Sequence, residues 1–271
     1  MDAAYAAHVR KRFVWLRPEG GASNELAALR ARWQVQVQRW GFGTQELGPV
    51  LGQPLPLLQR AAANEQAPRL LMAAGFHGEE SAAPWALLTW IEQADAAELD
   101  SVHLSLLPLV NATGFAAGSR HNALNQNPNR GFDAGQRGKP PSAEGERLIA
   151  HEALLLQAGR DGVLSCHEDL TRAWPHVYSF EPGAQPGAFS HGLTDAVRGH
   201  FELHPDGEIA GAPVRDGIVF NQHDGSFESW LTLRGVAVAA TVETPGLADF
   251  GRRQALQRAF IQRFVALRSR A

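Results

Sequence analysis

Apolar positions recur along this chain in two periods, and the switches between them mark out its elements. From Ser23 to Trp40, Leu26, Leu29, Trp33 and Val37 fall at helical spacing, with Ser23 and Asn24 offering a capping side chain. Val50 to Leu58 reads as an extended stretch broken by Pro54 and Pro56, which suits an edge better than a central strand. Arg69 to Gly75 is a short apolar run ended by glycine, hence a buried strand, and a helix rich in Ala, Leu and Trp follows from about Glu79 to Glu92. Val102 to Leu107 is a second buried strand, closed by Pro108. Ser142 to Gln157 reads as a helix whose capping box is imperfect, because Gly145 stands three residues after Ser142 and Glu146 one later. Val163 to Cys166 gives another strand and Ala188 to His200 a helix. Val236 to Val242 is apolar throughout, as a strand covered on both faces should be. Asp249 to Arg268 closes the chain as a helix with Leu256, Phe260, Phe264 and Leu267 on its apolar face.

Strands alternating with helices predict an α/β fold: one domain over residues 1–271, with a mixed, mostly parallel central sheet and helices on both faces. Between Val110 and Gly138 the chain is dense in Asn, Gly and Arg with little apolar periodicity. That predicts a long loop, and loops of such length in a compact domain usually carry function. In such sheets ligands bind beyond the carboxyl ends of the strands. Four polar residues fall at those ends: His77, Asn111, His167 and Glu243.

Composition narrows the chemistry. Twenty-eight acidic against 25 basic residues leave a formal charge of −3, which speaks against an electrostatic nucleic-acid binder. No stretch reaches the roughly 18 uninterrupted apolar residues of a membrane span. Met1 to Arg12 has no apolar run of secretory-signal length, so a soluble, cytoplasmic protein is expected. Cys166 is the only cysteine, so a bound metal would need His and carboxylate ligands. Serine-hydrolase and HExxH motifs are missing, and Gly41-Phe42-Gly43 fails as a dinucleotide fingerprint at its third glycine.

His77-Gly78-Glu79-Glu80 sets a histidine and a carboxylate three apart, just past a strand and entering a helix, so both side chains can reach one ion. Two histidines and one carboxylate, with a fourth position open, is a catalytic zinc arrangement, and His167 would be the third ligand. The spacing alone recurs by chance, and His77 by itself would be read as a capping or packing residue. The order of motifs adds to it: AAGFHGEE, VNATGF, Arg120-His121-Asn122, Asn129-Arg130-Gly131-Phe132, LSCHED, Gly225-Ser226-Phe227-Glu228-Ser229-Trp230 and VAATVETPG.

From about Arg69 to Thr244 this order resembles the zinc carboxypeptidase family, the M14 metallopeptidases, in a compact bacterial form. The resemblance implies one Zn2+ held by His77, Glu80 and His167. It implies Glu243 as general base and acid, Arg120 as the charge facing the oxyanion, and Asn129 with Arg130 as the pair that binds a terminal carboxylate. The specificity position falls at Phe227, which would favour an apolar substrate side chain, or at Glu228, which would favour a basic one. Asn111 would be a structural turn residue. The mobile Tyr of digestive members has no counterpart in Ile218-Val219-Phe220-Asn221-Gln222-His223, so Tyr178 or His223 would fill that space. His223 and His176 fall in loops expected to flank the cleft. Cys166, next to a ligand on a strand, should point to the opposite face.

The implied activity is hydrolysis of a peptide amide beside a free carboxylate. The alternatives are a deacylase of N-acyl amino acids, of the aspartoacylase or succinylglutamate desuccinylase type, and a degenerate member that binds peptide without turnover. The implied partner is a peptide or N-acyl amino acid, with no nucleic acid and no membrane.

Overall fold

The computed structural model describes residues 24–133 and 140–269. Its elements run in the order α1 (Leu26–Trp40), β1 (Gly43–Glu46), β2 (Pro56–Arg60), β3 (Arg69–Ala74), α2 (Ala82–Gln93), α3 (Ala96–Asp100), β4 (His103–Leu107) and α4 (Ala112–Ala117). Then come α5 (Ala143–Ala150), α6 (Glu152–Ala158), β5 (Gly162–Asp169), β6 (His176–Phe180), α7 (Ala188–Asp195), β7 (Gly207–Ile209), β8 (Ala212–Val214), β9 (Ile218–Phe220), α8 (Phe227–Leu233), β10 (Ala239–Pro245) and α9 (Phe250–Arg268).

Eight strands form one sheet in the order β1-β2-β4-β3-β5-β10-β6-β9. The central four, β4, β3, β5 and β10, are mutually parallel; β6 runs antiparallel beside β10, and β1 and β2 are antiparallel additions at the far side. This is the mixed, mostly parallel sheet that the pattern predicts.

Because side chains alternate across a strand, each central strand divides its residues between two cores. Leu70, Met72, Leu164, Cys166, Ala240 and Val242 join α2 and α9 residues such as Leu87, Ile91, Leu256 and Phe260 in one core. Leu71, Ala73, Val163 and Ala239 join Leu148, Leu155, Phe227 and Trp230, from α5, α6 and α8, in the other. Near-continuous apolar strands are what two covered faces require. The alternation also assigns the polar strand ends: His167 and Glu243 continue the parity of Val163 and Ala239, whereas Glu168 and Thr244 continue that of Leu164 and Ala240.

Several local expectations shift. Asn24 does not cap α1; its Nδ2 donates to the carbonyls of Gly78 (2.8 Å) and Phe115 (2.7 Å), tying the helix entry to the turn after His77 and to α4. Ser23 lies outside the described residues. The Pro54-Pro56 segment leads into β2, which is not an edge, since β1 pairs outside it. The polar stretch after Val110 contains α4, capped by Asn111, whose side chain accepts from Gly114 N–H at 2.8 Å. Ser142 does cap its helix, accepting from Gly145 N–H at 3.0 Å, but the expected single helix is interrupted at His151 into α5 and α6. β5 and β10 extend past the expected ends, so His167 and Glu243 are strand residues. Strands β6 to β9 were not foreseen from the pattern.

Candidate metal centre

His77 follows β3 after the sharp bend at Gly75, whose φ of +70° lies in the left-handed region. Gly78, next in line, is held by a hydrogen bond from its N–H to the Ser119 carbonyl at 2.9 Å. A Cβ on Gly78 would meet the Gly114 carbonyl carbon at 1.9 Å, so only glycine lets this turn nest against α4. The turn delivers Glu80 back beneath His77.

The three expected ligands converge. His77 Nδ1 lies 2.6 Å from Glu80 Oε1, and His167 Nδ1 lies 2.8 Å from Glu80 Oε2. One donor atom from each of the three falls within 4.8 Å of the others, and all three residues are buried. Two imidazole nitrogens and a carboxylate, out of water and facing one another, match the donor set of a catalytic zinc site. The outward face of the His77 ring is also held, Nε2 meeting Asn127 Oδ1 at 3.0 Å. Asn127 was missed in the sequence; its position two residues before Asn129 in an otherwise unpatterned loop gave no signal.

Glu243 sits opposite His167 in the parallel β5–β10 ladder and opposite His176 in the antiparallel β10–β6 ladder. Register partners point the same way, so all three side chains occupy one face at the strand ends. Glu243 Oε2 is buried with no hydrogen-bond partner among the described residues. Burial pushes its pKa well above the ordinary carboxylate value, the charge on His167 only partly opposing this. Glu80 goes the other way: burial would raise it, but the charges and hydrogen bonds of His77 and His167 hold it well below. Burial and the Arg120 charge lower His77 to about 3. For His167 burial is outweighed by the charges of Glu80, Glu243 and Glu228, which lift it to about 9.

Arg120 reaches the same carboxylate, Nη1 lying 3.1 Å from Glu80 Oε1 and 3.5 Å from Glu79 Oε1, with its side chain 39% exposed. Glu79, which the sequence did not single out, is nearly buried; burial and the Glu80 charge raise its pKa to about 7. Arg130 is also accessible, its Nη2 meeting Asp224 Oδ2 at 2.8 Å.

Asn129 is placed differently from expectation. It is buried behind His167, with Oδ1 accepting from Phe227 N–H at 2.8 Å and Nδ2 lying 3.2 Å from His167 Nε2. The two candidates for the specificity position separate. Phe227 is fully buried among Phe76, Phe132 and Trp230, so its ring belongs to the core and reaches no substrate in this conformation. Glu228 is fully buried beside His167. His223 lies over the Phe180 ring with Nδ1 at 2.9 Å from Ser229 Oγ. Tyr178, two residues along β6 from His176, shares the Glu243 face. Cys166 points into the opposite core, as expected, and burial raises its thiol pKa.

Behind the site, on the α9 face of the sheet, Glu168 is fully buried. Its Oε1 accepts from Ala82 N–H at 2.7 Å and its Oε2 from Arg253 Nη1 at 2.6 Å. Gln257, one turn beyond Arg253, donates from Nε2 to the His167 carbonyl at 2.5 Å. A cavity lined by Gln59, Arg69, His103 and Ser105 opens at the amino ends of the strands, away from this chemistry.

Comparison with known proteins bears on the same residues. The family described as succinylglutamate desuccinylase/aspartoacylase catalytic domain matches over residues 66–167. No curated protein matches the chain. Among solved structures, a protein of Shewanella amazonensis described as a "putative metallopeptidase" is 43% identical, with a TM-score of 0.86 over 91% of this chain and 94% of that one. A protein of Shewanella denitrificans with the same description is 44% identical, with a TM-score of 0.85 over 92% of each chain. A metallo-carboxypeptidase from Burkholderia cenocepacia is 17% identical and shares the fold, with a TM-score of 0.64 over 87% of this chain and 67% of that one. At that identity over nine tenths of its length, the chain belongs to the family of these Shewanella proteins described as metallopeptidases, and it shares the fold of the metallo-carboxypeptidases.

Proposed function

We propose that this chain is a zinc-dependent hydrolase that cleaves an amide bond next to a free carboxylate in a peptide. The observation that carries the reading is the placement of Glu243, a partly buried residue with one sealed, unpartnered carboxylate oxygen, in register with His167 beside the His77-Glu80-His167 cluster. Zinc held by these three residues would supply a Lewis acid that activates water and polarises the scissile carbonyl.

The chain's own residues supply the remainder. Glu243, its pKa raised by burial, is a stronger base than a surface carboxylate. It takes a proton from the attacking water and, once protonated, gives it to the departing amine. Arg120 brings a fixed positive charge to the side of the site where negative charge develops on the carbonyl oxygen. Arg130 presents an accessible guanidinium, paired here with Asp224, that would bind a substrate carboxylate. His223, on the neighbouring loop, would line the same opening.

A second reading, deacylation of N-acyl amino acids, is favoured by the family match over residues 66–167. It needs the same catalytic set and differs in what lies on the acyl side of the amide. The deciding experiment is hydrolysis of a panel of C-terminal dipeptides, γ-linked peptides and N-acyl amino acids, with and without chelator. Peptide turnover lost to chelator and restored by zinc is expected. Turnover that survives chelation would end the zinc mechanism, and cleavage confined to N-acyl amino acids would favour the deacylase.

A further inference from the structure

Both histidines of the metal cluster turn Nδ1 towards Glu80, so each ring has an Nε2 facing away. An imidazole that gives Nδ1 to a metal carries its proton on Nε2 and needs an acceptor there. For His77 the acceptor is the amide oxygen of Asn127 at 3.0 Å. For His167 the nearest group is Asn129 Nδ2 at 3.2 Å, which is itself a donor. Asn129 cannot be turned over without loss, because its Oδ1 is already taken by the Phe227 N–H at 2.8 Å. Two donors would then face one another inside the protein.

One acceptor lies within reach. Glu228 is fully buried in the first turn of α8, and its Oε1 has no hydrogen-bond partner among the described residues. That oxygen lies 3.9 Å from His167 Nε2, an ion-pair distance a small rotation short of a hydrogen bond. Asn129 Nδ2 lies 3.4 Å from the other oxygen, Oε2, and so fixes the carboxylate from behind. A carboxylate sealed from water with one oxygen unused is costly unless something in the loaded site uses it.

We infer that Glu228 is the outer partner of His167, accepting the Nε2 proton of the ring when Nδ1 is bound to the metal. Resting on the zinc-hydrolase reading, this makes Glu228 a positioning residue and takes it out of substrate selection. It orients the ring, fixes its tautomer and raises its basicity, while the neutral Asn127 does the weaker version of the same for His77.

The test reads the metal, not turnover. Zinc affinity is measured by competition with a chromophoric chelator for wild type, Glu228→Gln and Glu228→Leu, with thermal unfolding of the metal-free proteins as the control for folding. Glu228→Gln keeps the shape and an acceptor but not the charge, and should weaken zinc binding about tenfold. Glu228→Leu should weaken it towards the 100-fold end of what outer-shell changes produce. In the zinc-loaded wild type, the His167 Nε2 proton should appear far downfield by NMR and move upfield in Glu228→Gln. Wild type that binds zinc in this way but cleaves no peptide would overturn the peptidase reading and support this one. Zinc affinity unchanged in both variants, with losses confined to substrates carrying a basic side chain, would overturn it and return Glu228 to the specificity pocket.

Discussion

Replacing Arg253 by Met tests how the sheet is locked behind the metal site. Arg253 Nη1 lies 2.6 Å from Glu168 Oε2, and the two side chains are 8% and 0% exposed. At that distance the attraction is about 6 kcal/mol for an effective dielectric near 20, most of it offset by desolvation of both ions. Removing one partner leaves the other charge buried, which typically costs about 3–5 kcal/mol. Glu168 has an escape, since it can take up a proton. Its pKa is already raised by burial, with Arg253 holding it down, so losing Arg253 raises it further. Holding neutral at pH 7 a carboxyl whose ordinary pKa is 4.5 costs about 3.4 kcal/mol, which caps this part of the penalty.

The sign follows. A carboxyl whose folded pKa is raised contributes its stability below the unfolded pKa and loses it as pH rises through the folded one. The penalty of Arg253→Met should therefore reach at most about 3 kcal/mol at pH 7 and shrink to under about 1 kcal/mol at pH 5. With about 2.1 cal/mol/K of unfolding entropy per residue over 271 residues, the pH 7 value corresponds to a Tm lower by up to about 5 °C. Urea unfolding of both proteins in chelator at the two pH values measures it, because contributions common to the pair cancel. Adding Glu168→Leu should recover most of the loss. A penalty under about 1 kcal/mol at pH 7, or one that does not shrink at pH 5, would refute the reasoning.

Other expectations concern the site itself. Glu243→Gln should lower kcat by about 10²- to 10⁴-fold while leaving zinc affinity within a few-fold, as read by steady-state kinetics and chelator competition. Gly78→Ala forces the new methyl against the Gly114 backbone at 1.9 Å, so it should cost about 1–3 kcal/mol or more and loosen zinc by at least tenfold; calorimetry and zinc titration check both. His176 is buried and its pKa is lowered to about 4 by burial, so it stays neutral when folded. Its stabilising contribution is complete above pH 6.5 and lost as pH falls towards 4, about 3 kcal/mol in all, and the stability–pH curve of His176→Gln should lack that slope.

The legible parts of this molecule were those with a period or a fixed chemical spacing. β3, β4, β5 and β10 are buried on both faces, so their apolar runs stood out, and the residues at their ends could be placed on one edge without coordinates. His77, His167 and Glu243 could be placed at those ends for that reason, whereas their roles and that of Glu80 were expected from the resemblance carried by the order of motifs. What escaped was held by geometry instead of period. β7, β8 and β9 are three residues each, too short to show alternation. Asn24 sits where a cap would, but its amide bridges the turn at Gly78 and helix α4, both distant in sequence, a contact no local pattern encodes. The loop after Val110 looked featureless because its order comes from amides satisfying its backbone. Asn122 Oδ1, for example, accepts from the N–H groups of Leu124 and Gln126 at 3.0 Å each. Asn129 and Phe227 lie near the His77-Glu80-His167 group, but which way each side chain turns depends on the packing of α8 against the sheet.

The consecutive residues His167 and Glu168 show how the candidate metal ligands are held in place. On a strand, neighbours point to opposite faces, so one residue serves chemistry and the next serves support. His167 faces the site. Glu168 faces α9 and α2, where it is fixed by Arg253 and by the first N–H of α2, and its own N–H donates to Glu80 Oε2 at 3.2 Å. Gln257 takes the carbonyl between them and reaches Thr244 Oγ1, the neighbour of Glu243, at 3.3 Å. One face of α9 thus holds, through two side chains a turn apart, the strand that carries a proposed metal ligand and the strand that carries the proposed base. The separation between His167 and Glu243 is then set by the rigid β5–β10 ladder and not by a loop, which is where proton transfer over hydrogen-bond distances needs rigidity most.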